Sequence, residues 1–85
     1  MTELTLNNLS EEYILETLWD IDEETTEGTF LISQEQYEVN GMNVSIFYRP
    51  SEERPWSVLG GISTYKTYKN FTGLENYLKK VLNHK

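Results

Sequence analysis

The side chains of this 85-residue chain that could do chemistry are mainly carboxylates, and they are bunched. Glu11, Glu12, Glu16, Asp20, Asp22, Glu23, Glu24 and Glu27 crowd the stretch EEYILETLWDIDEETTEG, with no Lys or Arg among them. Carboxylates so placed can hold a cation, share a proton, or present a negative surface. The first use fits poorly: Asp20, Asp22 and Glu24 alternate as calcium ligands do, but the central Gly and the spaced bidentate Glu of an EF-hand loop are missing. There is no Cys, which removes thiolate chemistry and the common zinc sites. The single His84 sits in a helix end expected to fray, a poor seat for a general base. Ser10, Ser33, Ser45, Ser51, Ser57 and Ser63 stand in no nucleophile-elbow pattern, and Gly60-Gly61 lacks the flanks of a phosphate loop. The expectation is a non-enzymatic protein with no cofactor and no metal.

A negative surface is the use that remains. Residues 1–48 hold eleven carboxylates and no Lys or Arg, whereas residues 49–85 hold three carboxylates against seven basic residues. The halves therefore carry −11 and +4, which sets a field across the molecule. On a helix, Glu12, Glu16, Asp20 and Glu23 fall at i, i+4, i+8 and i+11 and form one anionic ridge, at a cost of a few tenths of a kcal/mol per like-charged pair. A solvated face that keeps the protein soluble is the plainer reading. The functional one is a surface that docks on a basic groove in place of nucleic-acid phosphates, with Trp19 at its margin as a hot spot. The predicted partner-binding set is Glu12, Glu16, Asp20, Asp22, Glu23, Glu24, Glu27 and Trp19.

Two alternatives come from other classes. Tyr65, Lys66, Tyr68 and Lys69, with Lys79 and Lys80, could stack bases and track phosphates, although a local +4 on a molecule of −7 attracts a polyanion weakly. A regulatory homodimer through a strand edge or the Phe30/Phe47 side is the other.

The elements that must position these groups are partly legible. Asn40-Gly41 is a two-residue type I′ hairpin turn, since both central positions need positive φ. It sets Val39 opposite Met42 and Tyr37 opposite Val44, so Tyr37, Val39, Met42, Val44, Ile46 and Tyr48 share the core face. Gln36, Glu38, Asn43 and Ser45 take the other face, with Phe47 as its apolar member.

Upstream, Leu4, Leu6 and Leu9 make an arm, residues 1–8, that is extended or frayed. Ser10 is an N-cap, with Glu11 and Glu12 in the first turn and Leu9 and Ile14 as a hydrophobic staple. Ile14, Leu15, Leu18, Trp19 and Ile21 recur at helical spacing, which predicts a helix to about Ile21 or Asp22, then a polar connector to Gly28. The first hairpin strand, 29–39, carries a parity flaw: Phe30 and Ile32 fall out of step with Tyr37 and Val39. A bulge near Ser33-Gln34 is favoured over Phe30 and Ile32 packing behind the sheet.

Downstream, the second hairpin strand is 42–48, and Ser51–Pro55 is a charged loop. Extended chain resumes at Trp56, interrupted at Gly60-Gly61 by a second hairpin or a bulge. Trp56 and, by default, Trp19 are assigned to the core, Trp19 serving as a hot spot only if it is partly exposed. Thr72-Gly73-Leu74-Glu75 matches a capping box with Thr72 as N-cap, and Leu74, Leu78, Val81 and Leu82 stripe a second helix.

The predicted fold is one α+β domain over 1–85, two-layered: helix, antiparallel sheet of three (or four) strands, helix. No signal peptide or apolar span is evident, which predicts a soluble, cytoplasmic protein.

In its acidic segment, size and lack of catalytic residues the chain resembles, in kind, the small acidic inhibitors that phages and mobile elements use against nucleic-acid enzymes, such as anti-CRISPR proteins and uracil-DNA glycosylase inhibitors. The resemblance implies a host or defence-system nucleic-acid-binding protein as partner. The helix–three strands–helix order is also similar to that of double-stranded-RNA-binding domains. Here, however, the basic opening of their last helix is replaced by Thr72-Gly73-Leu74-Glu75, and the first helix is acidic.

Overall fold

The Asn40-Gly41 turn forms as the sequence dictates. Asn40 has φ 53° and Gly41 φ 79°, and Val39 pairs with Met42. A computed structural model describes residues 2–26 and 28–84; the side chains of Glu23, Thr25, Thr29, Phe30 and Ser63 lie outside the description. The elements are β1 (Thr2–Leu4), α1 (Glu11–Thr17), β2 (Trp19–Thr25), β3 (Gly28–Val39), β4 (Met42–Tyr48), β5 (Trp56–Gly60), β6 (Ser63–Tyr68) and α2 (Phe71–Leu82).

The class is α+β, with two helices and a mostly antiparallel sheet, but the described residues build six strands where three or four were expected. The order is β1-β3-β4-β5-β6, with β2 also on β3. Two of the additional strands come from segments read otherwise. The leading arm is extended: Thr2–Leu4 pairs parallel with Tyr37–Val39, and Leu4 is fully buried. The expected second half of the first helix and its connector are instead β2, antiparallel to β3 from Trp19↔Gln34 to Thr25↔Gly28.

β3 is thus a 12-residue spine. Its later half pairs with β4 over Ser33–Val39, and its earlier half reaches past the end of β4 with β2 as its antiparallel partner. This ribbon gives the molecule its length, 43 Å against 21 and 20 Å in the other directions. Neither pairing shifts register, so the expected bulge at Ser33-Gln34 is absent. The parity flaw resolves the other way. Ile32 packs behind the sheet, 6 % exposed, while Leu31 shares the parity of Tyr37 and Val39 and stays 41 % exposed because the ribbon extends past the core.

One core gathers residues from both helices and one sheet face: Ile14 from α1, Leu74, Tyr77, Leu78 and Val81 from α2, and Leu4, Tyr37, Val39, Val44, Ile46, Trp56 and Val58 from the strands. α2 starts two residues before the capping-box prediction. Asn70, not Thr72, is the N-cap, its Oδ1 accepting from the Gly73 N–H at 3.3 Å. Gly60-Gly61 is a tight hairpin, with Gly60 opposite Ser63, and not a bulge within one long strand; a register irregularity lies just before it, between Val58 and Gly60. A Cβ on Gly60, at φ +108°, would run into the Asn43 carbonyl.

Candidate functional site

The acidic segment changes conformation in its middle. Ser10 Oγ accepts from the Tyr13 N–H at 3.1 Å and starts α1, with Glu11 and Glu12 in the first turn. The helix stops after seven residues: the Thr17 hydroxyl and the Leu18 N–H both donate to the Ile14 carbonyl, at 3.0 Å each, and Leu18 turns extended at φ −70°, ψ 143°. From there Trp-Asp-Ile-Asp alternates with period two, the pattern of a strand with two unlike faces. The switch also spares Glu16 and Asp20 the i, i+4 repulsion of a continued helix.

The expected ridge Glu12–Glu16–Asp20–Glu23 is therefore not one helix face. Glu12 and Glu16 are exposed on α1, one turn apart. Asp20, Asp22 and Glu24 are exposed on β2, where alternate residues stand about 6.8 Å apart on one face. That face is shared with Ser33, whose hydroxyl donates to Asp20 Oδ1 at 2.5 Å, and by parity along β3 with Tyr37, the residue α1 rests on. The helical and extended carboxylates thus lie on the same side of the sheet. The Glu23 side chain and Glu27 lie outside the described residues.

Among the described residues the ion pair present is within α2, Lys79 Nζ to Glu75 Oε1 at 3.9 Å. None joins Glu11, Glu12, Glu16, Asp20, Asp22 or Glu24 to a Lys or Arg of the described chain. Nor do the described acidic and histidine residues gather in threes around a point fit for a metal ion. An extended strand holds Asp20, Asp22 and Glu24 in a row rather than wrapping them.

Trp19 leaves the set. It stands on the opposite face of β2, 69 % exposed, where Trp19, Ile21, Gln34, Gln36, Ser45 and Phe47, together with Asp20 and Glu35, line a shallow concavity of about 540 Å³. Trp56 does what was expected, buried between Tyr48 and Phe71 with ring centroids 4.5 and 5.3 Å away. Sequence reasoning missed Leu59, 46 % exposed, and the side on which Tyr65, 55 % exposed, would stand; both share the sheet face of Phe47. The alternation of Trp56-Ser57-Val58-Leu59 carried the signal for Leu59.

The basic alternative set is divided. Lys66, Tyr68 and Lys80 line one shallow depression beside α2, together with Gly73, Asn76 and Tyr77. Tyr65 belongs to the other side of β6, its hydroxyl donating to Ser57 Oγ at 3.1 Å. Lys79 is paired with Glu75, and Lys69 lies beyond the end of β6.

Comparison with protein-family models, with curated proteins and with solved structures finds no match for the chain. What the molecule offers is then its own geometry: an anionic side on α1 and β2, and a partly apolar sheet face behind it that also carries Glu38. Among the described residues no helix is long and apolar enough to cross a membrane.

Proposed function

We propose that this chain is a non-enzymatic, cytoplasmic protein-binding inhibitor whose α1–β2 segment occupies the basic nucleic-acid site of a partner protein. The architecture behind the reading is two-layered: both helices on one side of the sheet, with the anionic ribbon extending from that side. The observation that carries it is the exposure of Glu12 and Glu16 on α1 and of Asp20, Asp22 and Glu24 along β2, none of them in an ion pair with a Lys or Arg of the described residues. Carboxylates fixed on a helix and a paired strand are preorganised. A basic groove that closes over them regains the steering and charge complementarity it uses on a phosphate backbone.

The spacing sets the limit of the imitation. One carboxylate per about 6.8 Å along β2 is sparser than duplex DNA, at about one charge per 1.7 Å of axis. The β2 row stands in for a single track of phosphates, and α1 must supply the rest. The partner is a host or defence-system protein that binds nucleic acid. Glu12→Lys, Glu16→Lys, Asp22→Lys and Glu24→Lys together test the reading; Asp20 is left in place because it accepts the Ser33 hydroxyl. The variant keeps its fold and loses the partner if the reading holds, and keeps the partner if it does not.

A further inference from the structure

We infer that the depression between β6 and α2 is an anion site that takes the phosphate monoester of a small molecule, a binding function beyond the inhibitor reading. Two periodicities meet there. Lys66 and Tyr68 stand two residues apart on β6, about 6.8 Å from one another, opposite Val58 and Trp56 and so on the face that α2 covers. Gly73, Asn76 and Lys80 recur at i, i+3 and i+7 on one face of α2, with the buried Tyr77 beside them. β6 is the last strand of the sheet, so the depression opens at its edge. Gly73 sets the fit: a Cβ there would come within 2.7 Å of the Tyr68 ring, which therefore lies directly against the helix.

Charge selects the ligand. The depression holds two ammonium groups and no carboxylate, in a chain with 14 acidic side chains against seven basic ones. Of the carboxylates in residues 49–85, Glu75 pairs with Lys79 outside it, and Glu52 and Glu53 line a separate depression with Arg49 and Arg54. Among the described residues Lys66 and Lys80 have no ion-pair partner, and the Asn76 amide and Tyr68 hydroxyl have no hydrogen-bond partner. The Tyr77 hydroxyl, by contrast, is committed, donating to the Gly60 carbonyl. Four donor groups are thus left for a ligand.

A phosphate monoester answers this set. It carries about −1.5 to −2 charges at neutral pH on three acceptor oxygens, which suits two ammonium groups better than the single charge of a carboxylate. At about 230 Å³ the depression accommodates a phosphate and the sugar that bears it rather than a whole larger ligand. A nucleic-acid chain fits less well, since a net charge of −7 repels a long polyanion far more than one small dianion. Nucleotides and sugar phosphates share the chemistry.

Titration of the intact chain with ribose 5-phosphate, adenosine 5′-monophosphate and adenosine, followed by amide chemical shifts at physiological ionic strength, tests this. Both phosphates are expected to give saturable millimolar shifts centred on Lys66, Tyr68, Asn76 and Lys80, and adenosine none. Tighter binding of the nucleotide than of ribose 5-phosphate assigns a nucleotide as the ligand; binding no tighter assigns a sugar phosphate. Lys66→Ala and Lys80→Ala should each raise the dissociation constant at least about threefold, with an unchanged circular-dichroism spectrum. Lys79→Ala, on the same helix but outside the depression, should leave it within about twofold. The absence of a saturable shift with either phosphate overturns the inference, and so does adenosine binding as tightly as its monophosphate. Phosphate binding indifferent to Lys66→Ala and Lys80→Ala, or weakened as much by Lys79→Ala, overturns it as well, because either result marks unspecific attraction.

Discussion

The Tyr37 hydroxyl lies 2.6 Å from the Thr17 hydroxyl, joining the spine strand, two residues before its end, to the last residue of α1. Thr17 donates its own proton to the Ile14 carbonyl at 3.0 Å, whereas Tyr37 stands 3.5 Å from that carbonyl, so Tyr37 is the donor to Thr17. The contact fixes the point where helix gives way to strand, and with it the side of the sheet on which the carboxylates of both elements sit. Tyr37→Phe removes that bond while leaving Thr17 its acceptor. It is expected to cost about 1 kcal/mol in denaturant unfolding at neutral pH.

Alkaline pH gives a second expectation. Burial raises the Tyr37 phenol above its ordinary value, and Glu35 and Tyr13 add to the rise. Burial, then Tyr77, raises Tyr68. In both cases the folded state holds the neutral phenol while the unfolded chain ionises near the ordinary tyrosine value of about 10. Stability should therefore be flat with respect to these groups below that pH and fall as pH climbs from there through the raised folded values. Tyr37→Phe should flatten part of that fall. An unfolding series from neutral to strongly alkaline pH reads both.

The Asn40 turn is tied to the far end of the molecule. Its Nδ2 donates to the Val81 carbonyl at 3.2 Å and to the His84 carbonyl at 2.5 Å, at the end of α2. Asn40→Gly keeps the positive φ and loses the bonds, whereas Asn40→Ala loses both. The ordering expected in thermal unfolding is wild type, then glycine, then alanine, with the alanine variant down by about 2 kcal/mol.

Leu4 is fully buried, on a strand of three residues. Leu4→Ala should cost 2–5 kcal/mol, the range for deleting a buried leucine side chain, as measured by chemical denaturation. A cost near zero would mean that β1 contributes nothing to the core.

Gly60 and Gly41 both have positive φ but differ in surroundings. A Cβ on Gly41 meets nothing within 4 Å, and one on Gly60 meets the Asn43 backbone carbonyl. Gly41→Ala should cost about 1 kcal/mol, and Gly60→Ala clearly more, because a backbone oxygen cannot swing aside.

Much of this fold was legible where local chemistry and tertiary packing agree. Asn40-Gly41 fixed a register that the structure keeps, Ser10 caps as its type and position require, and the Leu74–Val81 stripe is buried. Residues 18–25 were not legible because Leu18, Trp19 and Ile21 satisfy a helical period and Trp19-Asp20-Ile21-Asp22 a strand period. Only pairing with a long β3 decides between them. The parity flaw at Phe30 and Ile32 was the visible trace of that pairing: a strand that outruns the helices has apolar residues on the far face. Asn70 prevailed over Thr72 as N-cap because Phe71, in contact with Trp56, brings α2 into register two residues earlier. For the candidate site, the carboxylates were found and their common side was not, since Trp19 looked adjacent in sequence and stands on the opposite face.

In the function we propose, the anionic side of α1 and β2 is read by a nucleic-acid-binding protein. Affinity capture from nuclease-treated host lysate tests it most directly, with the wild-type chain and the Glu12→Lys, Glu16→Lys, Asp22→Lys, Glu24→Lys variant as parallel baits. The wild type is expected to retain a protein which, once purified, loses its nucleic-acid binding when the chain is added, and the variant to retain none of it. Equal capture by both baits, or a captured protein whose nucleic-acid binding is untouched, would contradict it.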